Sequence, residues 1–155
     1  MRKPDRFLIA RKIRINAPRE KVFPLINTIQ RWTEWSPWQT KDPAIQQTLG
    51  PITEGIGAYQ EWKGNNKVGE GRMEIVESAA LSRIVYRLDF LRPMKAQNRA
   101  VFTLTDTGGA TEVTWEMDGP SPLLSKIMDT LMNMDKMIGR DFENGLANLK
   151  KLSEG

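Results

Sequence analysis

The sequence predicts an α+β layer structure in which one long C-terminal helix lies across an antiparallel sheet. Two observations lead to this prediction. Hydrophobicity alternates with a period of two from about residue 46 to about residue 119, which is typical of antiparallel strands with one solvent-exposed face. A helical pattern of about 30 residues then follows, and at about 1.5 Å per residue it is long enough to cross a whole sheet.

The first predicted element is a strand, FLIARKIRI at residues 7–15. Alternation places Ile9, Ile13 and Ile15 on one face of this strand. Arg11 falls on the same apolar face, so we expect its charge to need a partner there.

Two short helices are predicted after this strand. Pro18 is tolerated in the first turn of a helix, and apolar residues with helical spacing follow it. A second short helix carries Trp32 and Trp35. We expect Pro37 to end that helix, because the residue before a proline is pushed out of helical geometry. Trp38 then begins an extended segment.

The strands of the central region form hairpins. GAYQEWKGNNKVGEGRMEIV predicts two strands around a turn at Gly64–Asn66, and NRAVFTLTDTGGATEVTWEM predicts two more around Gly108–Gly109. SRIVYRLDFL predicts a strand between these hairpins, and the alternation directs Trp115 inward. Gly69 and Gly71 lack the spacing of phosphate-binding loops, so we interpret them as a bulge.

The composition excludes several kinds of chemistry. The 155 residues contain no cysteine and no histidine, which rules out disulfides, thiol catalysis, and thiolate or imidazole metal sites. No metal or other cofactor is implied. The net charge of +4 is modest and indicates a solvated surface, which disfavours nucleic acid as a partner.

The N-terminal residues MRKPDRFLIARKIRI contain no apolar run of signal-peptide length. No stretch of the chain approaches the roughly 18 apolar residues of a membrane-spanning helix. We therefore expect a cytoplasmic protein with one domain over residues 1–155.

Three tryptophans lie at intervals of three in RWTEWSPWQTKDP, at positions 32, 35 and 38. A platform for stacking nucleic-acid bases would interleave exposed aromatic residues with basic ones, whereas RWTEWSPW holds one arginine and one glutamate. We expect at least one of these tryptophans to pack in the core, and Trp35 or Trp38 to line a pocket.

Asp135 is the unexpected residue of the long helix. It lies on the same face as Leu131, Ile138 and Phe142, near the centre of the apolar stripe. A buried carboxylate is costly unless it is paired. Arg11 is one candidate partner, and the alternatives for Asp135 are contact with a ligand and acid–base catalysis.

The long helix also contains four methionines within ten residues, at positions 128, 132, 134 and 137. Methionine is flexible and polarizable, so such a cluster suits ordinary core filling, an adaptable pocket or an adaptable surface. Met132 and Met137 project away from the Asp135 face. A second copy of the chain, as in a homodimer, is a candidate partner for them.

The order of elements resembles the helix-grip fold of the START/Bet v 1-like (SRPBCC) superfamily, and more narrowly the bacterial polyketide cyclase/dehydrase-like proteins. The segments that resemble this family are INAPREKVFPLINTIQRWTEWSPW, GAYQEWKGNNKVGEGRMEI, LDFLRPMKAQNRAVFTL, TEVTWEMDGP and MDKMIGRDFENGLANLK, which span nearly the whole chain. The resemblance implies a curved antiparallel sheet of about seven strands wrapped on the long helix, with a deep apolar pocket between them. It supplies no shared catalytic motif.

We therefore expect the protein to bind an apolar small molecule, such as a lipid, polyketide or isoprenoid, with Asp135 as the polar anchor of the pocket. The residues expected to line the pocket are Trp35, Trp38, Trp62, Met73, Leu88, Phe90, Phe102, Trp115, Met117, Met128, Leu131, Asp135 and Ile138. Two alternatives stay open. One is a polyketide cyclase or dehydratase in which a buried carboxylate moves a proton. The other is a protein- or RNA-interaction module.

Overall fold

The computed structural model describes residues 6–65, 69–92, 95–120 and 127–155, with side chains for all of these except residues 6, 40 and 127–134. The α+β helix-grip prediction is confirmed. The strands are β1 (Arg6–Ile15), β2 (Gln46–Leu49), β3 (Tyr59–Lys63), β4 (Glu70–Ala79), β5 (Arg83–Arg92), β6 (Ala96–Asp106) and β7 (Thr111–Pro120). The helices are α1 (Arg19–Asn27), a short 3-10 helix (Ile29–Glu34), α2 (Pro37–Lys41) and α3 (Ile127–Glu154).

The seven strands form one antiparallel sheet in the order β1-β7-β6-β5-β4-β3-β2. Successive side chains of a strand point to opposite faces of a sheet, so residues in register form rows across the concave face. One such row joins Arg11, Trp115, Phe102 and Ile84. The bulge interpretation is confirmed for Gly71, since the register shifts between Glu70 and Gly71. Gly69 precedes β4 and has a positive φ angle of 67°.

The helical segments after β1 differ from the prediction. The 3-10 helix contains Trp32, and Trp35 follows it. Pro37 begins α2 instead of ending a helix, and Trp38 lies within α2 instead of in an extended segment. The reason is local: the Ser36 hydroxyl accepts a hydrogen bond from the Trp38 backbone N–H at 3.4 Å, and a proline in the first turn loses no hydrogen bond.

The long helix α3 runs along β1 and is tied to it by ion pairs. The Arg11 guanidinium donates to Asp135 at 3.1 Å and to Glu143 at 2.8 Å. Further along, the Lys150 ammonium donates to the Arg14 carbonyl oxygen at 3.1 Å. These contacts fix the direction of α3. Its first turns extend towards the Phe7 end of β1.

Two predicted boundaries between elements include residues that the structure does not describe. Asn66 of the β3–β4 turn lies outside the described residues, as do the residues immediately before α3. The Gly108–Gly109 turn is present between β6 and β7, and both glycines have positive φ angles, 76° and 92°. Such angles are freely accessible to glycine, which explains the choice of residue at this turn.

Candidate functional site

One end of the concave face is filled by aromatic rings. We call this group the aromatic core: Trp32, Trp35, Tyr86, Phe102, Trp115 and Phe142. Trp115 lies at its centre, stacked on Phe142 of α3 with ring centroids 4.0 Å apart and on Phe102 at 4.7 Å. Each member is at most 3% exposed, so this end is densely packed.

The tryptophan repeat belongs to this packed end. The indole N–H of Trp32 donates to the Ile26 carbonyl oxygen at 2.7 Å, and that of Trp35 donates to the Leu25 carbonyl oxygen at 2.8 Å. The expectation that at least one of the three is a core residue is confirmed. Trp35, Phe102 and Trp115 were predicted to line a pocket. The structure places these three in the aromatic core, where each is at most 1% exposed.

Tyr86 brings a titratable group into the aromatic core. Its hydroxyl oxygen accepts a hydrogen bond from the Trp115 indole N–H at 2.9 Å. Burial raises the pKa of the Tyr86 phenol far above its ordinary value, because the ionised form would lose its hydration. The folded protein therefore holds this side chain neutral.

A pH dependence of stability follows from this burial. An unfolded tyrosine ionises near pH 10, while folded Tyr86 stays protonated, so stability is complete below about pH 10 and falls above it by about 1.4 kcal/mol per pH unit. Tyr86→Phe removes this contribution. We expect the variant to lose less stability than the wild type between about pH 9 and pH 11, by about 1 kcal/mol, in urea unfolding at each pH. Parallel pH profiles for the two proteins would contradict a buried neutral phenol.

The other end of the concave face is less filled, and we call it the open end: Gln60, Trp62, Leu88, Phe90 and Asn98. Strand register brings these residues together, since Trp62 and Phe90 flank Gly71, and Leu88 lies opposite Asn98. The Trp62 and Phe90 rings meet edge to face at 5.7 Å. Trp62, Leu88 and Phe90 are only half-buried although they point inward.

The other residues predicted to line the pocket lie in several places. Met73 and Met117 are buried, at 3% and 4% exposure. Met73 lies in the row of Gln60, Leu88 and Asn98, and Met117 lies in the row of Tyr86. Trp38 and Ile138 are half-buried and pack against the core from α2 and α3. The side chains of Met128 and Leu131 lie outside the described part of the molecule.

The expected burial of Asp135 is wrong. Its side chain is 48% exposed, and its carboxylate accepts from the Arg11 guanidinium at 3.1 and 3.2 Å. These hydrogen bonds, followed by those to Glu143, raise the pKa of Arg11. The structural alternative of a pair with Arg11 is therefore confirmed. Helical spacing predicts which way a side chain points, but it does not predict how far the side chain is buried. The long Arg11 side chain reaches out to Asp135 and pairs with its carboxylate where that group is still in contact with solvent.

Sequence reasoning missed the two polar residues of the open end. Gln60 and Asn98 are 8% and 9% exposed, and both lie on the concave face. The signal was present: Gln60 lies two positions before Trp62, and Asn98 lies four before Phe102, so alternation already directs both inward.

The described residues offer no support for a metal centre or a membrane segment. They contain no cluster of three or more acidic side chains that could hold an ion. In the same ranges, no helix combines the length and hydrophobicity that a bilayer crossing needs.

Comparison with known proteins agrees with this geometry. The family described as polyketide cyclase / dehydrase and lipid transport matches residues 6–154. A search of curated proteins finds no match. Among solved structures, a protein from Thermobifida fusca superposes with a TM-score of 0.72 at 21% identity, over 94% of this chain and 92% of that one.

Two further structures share the fold at low identity. The allergen Ara h 8.0201 has a TM-score of 0.68 at 10% identity, over 96% of this chain and 97% of its own. A protein from Chromobacterium violaceum has a TM-score of 0.66 at 14% identity, over 99% of both chains. With a family match over almost its whole length and a Bet v 1-type architecture, the chain belongs to the polyketide cyclase/dehydrase and lipid-transport family of the START/Bet v 1-like superfamily.

Proposed function

We propose that the protein is a cytoplasmic binder of an apolar small molecule, such as a lipid, a polyketide or an isoprenoid, held between the open end and the first turns of α3. The half-exposure of Trp62, Leu88 and Phe90 on an inward-facing surface is the observation that supports this most directly. Apolar side chains that point inward are normally covered by others. A ligand that removed them from water would gain about 25 cal/mol per Å² of buried apolar area.

The aromatic core at the other end of the concave face also supports a binding function. The aromatic core anchors α3 to the sheet through the stacked Trp115 and Phe142 rings, so a ligand at the open end need not disrupt the fold. Ligand pockets are typically such apolar concavities on a rigid scaffold.

Binding without chemistry is preferred over catalysis because the carboxylate expected to act as acid or base is already occupied. Asp135 is half-exposed and paired with Arg11, and Arg11 lies opposite Trp115 of the aromatic core instead of in a row of the open end. A nucleic-acid stacking platform on the tryptophan repeat is disfavoured too, since Trp32 and Trp35 are buried. The family description names both cyclase/dehydrase activity and lipid transport.

The proposal can be tested by filling the open end. Leu88→Trp adds a large ring where the inward surface is only half-covered. We expect the variant to bind the neutral fluorophore Nile red at least tenfold more weakly than the wild type, because the indole occupies the ligand's space. The measurement is a fluorescence titration of the dye, with the thermal unfolding midpoint recorded for each protein.

Leu91→Trp is the matched control. Leu91 lies on the same strand and is 52% exposed, so the same substitution there should leave dye affinity within about twofold. Equal loss in both variants would contradict the proposed location. Failure of the wild type to bind the dye, a fatty acid, an isoprenoid alcohol and an aromatic polyketide would overturn the proposed function itself.

A further inference from the structure

The two amide side chains of the open end lie in one row across the sheet. Asn98 of β6 lies opposite Leu88 of β5, Leu88 opposite Met73 of β4, and Met73 opposite Gln60 of β3. Three strand spacings separate the amides, on the order of 14 Å along the sheet. An apolar floor of Leu88 and Met73 therefore has a buried amide at each end.

Both amides are poorly satisfied by the protein. The Gln60 amide N–H donates to the Met73 sulfur at 3.5 Å, and the Asn98 amide N–H donates to the Met117 sulfur at 3.9 Å. A thioether is a weak acceptor, whereas a side-chain amide offers two donors and a carbonyl oxygen. Among the described residues, these sulfur atoms are the only hydrogen-bond partners of the two amide side chains.

The fold makes room for this arrangement. A Cβ atom at Gly119 would collide with the Asn98 side-chain oxygen, so the glycine leaves room for this amide beside β7. The amide nitrogens have only sulfur acceptors, and neither amide oxygen is among the fully buried side-chain atoms that lack a partner. The oxygens therefore keep some contact with solvent, and a ligand at the open end would supply both amides with stronger partners than sulfur.

The surroundings also restrict the charge of that ligand. On the described strands, the inward positions of this row and of the adjacent Phe90–Gly71–Trp62 row carry no acidic or basic side chain. A carboxylate or ammonium group buried there would find no ion-pair partner on the sheet, and an unpaired buried charge is strongly disfavoured. An amide, in contrast, can donate to a carbonyl oxygen or accept from a hydroxyl.

Building on the proposed function, we propose that Gln60 and Asn98 recognise hydroxyl or carbonyl oxygens at the two ends of a neutral, otherwise apolar ligand. The pocket then selects oxygenated neutral molecules over carboxylates of the same length. Methionine sulfur holds each amide in place while the pocket is empty, and the ligand oxygen replaces it as the better partner.

The test uses three probes with one ten-carbon skeleton: decanediol with a hydroxyl at each end, decanoate and decane. Binding to the wild type, Asn98→Leu and Gln60→Met is measured by calorimetry at neutral pH. We expect each variant to lose about tenfold in decanediol affinity, and decane affinity to stay the same or rise. Decanoate should bind the wild type more weakly than decanediol does.

Folding is checked separately, because an amide with a structural role would behave differently. Replacing an under-satisfied buried amide by an apolar side chain of similar size should leave the thermal unfolding midpoint unchanged or raise it. Gly119→Ala gives a second route, since it displaces the Asn98 amide without changing that residue, and it should lower decanediol affinity like Asn98→Leu.

The outcomes separate the two proposals. If decanediol and decane lose affinity equally in the variants, or decanoate binds as tightly as decanediol, the recognition role is wrong and the binding function stands. A strong drop in the thermal unfolding midpoint of Asn98→Leu and Gln60→Met would also contradict the recognition role, because it would show that the two amides stabilise the fold. If the wild type binds no probe and no member of the earlier ligand panel, the binding function fails.

Discussion

Replacement of Trp115 by alanine should lower the free energy of unfolding by about 4 kcal/mol. The indole is fully buried, stacks on Phe102 and Phe142, and meets the rings of Trp32, Trp35 and Trp38 edge to face. Its removal leaves a cavity between the sheet and α3, and it also leaves the Tyr86 hydroxyl without its donor. Urea unfolding followed by far-ultraviolet circular dichroism measures the loss without relying on the deleted fluorophore.

Trp62→Ala is the control for this substitution, because it removes the same side chain from the same face of the sheet. Trp62 is half-buried and lies at the open end, so we expect a loss below about 2 kcal/mol. Similar losses at the two positions would mean that the aromatic core and the open end are equally packed, contrary to our description.

Gly71→Val should destabilise the protein by about 3 kcal/mol, although valine is the better strand former. A Cβ at this position would lie 2.5 Å from the Asp89 backbone oxygen and 2.8 Å from the Trp62 ring. The ring could move, but the carbonyl oxygen belongs to the neighbouring strand and could move only with it. The measurement is the urea midpoint, together with the emission of Trp62 at the open end.

The direction of the Gly71 effect distinguishes the two physical causes. Strand propensity alone predicts a more stable variant, whereas the close approach predicts a less stable one. Repeating Gly71→Val in a Trp62→Ala background removes the ring contact and keeps the Asp89 contact. We expect most of the cost to persist there. Full rescue would show that the ring, and not the backbone, requires the glycine.

The fold could be predicted because alternation and helical spacing are local properties of the sequence. Alternation directs Trp115 to the face that the structure gives it, and it marks Arg11 as a charge on an apolar face. Pro37 was misread because the same residue can follow a helix or begin one. The serine before it, whose hydroxyl caps α2, was the feature that decided between them.

The site was harder to predict because it depends on depth, which periodicity does not encode. Trp35 and Trp62 are both large aromatic residues, yet one is 1% exposed and the other is half-buried. That difference is a property of tertiary packing, since Trp35 meets the rings of Trp32, Phe102 and Trp115. Gln60 and Asn98 are polar, so hydrophobicity does not mark them as pocket residues, although the alternation directs both inward.

The pairing of β1 with β7 has a consequence for how the protein is made. Arg6 to Ile15 lie near one end of the chain and pair with Thr111 to Pro120, so most of the sequence separates the partners. Contacts between such distant segments form slowly, because a long loop must close before they can stabilise anything. On the ribosome, β1 leaves the exit tunnel before β7 and α3 do, and it must wait, with Phe7 and Ile9 uncovered, until both have been synthesised. The strands between them can pair in the meantime, which makes β1 one of the last strands to join the sheet although it is made before them.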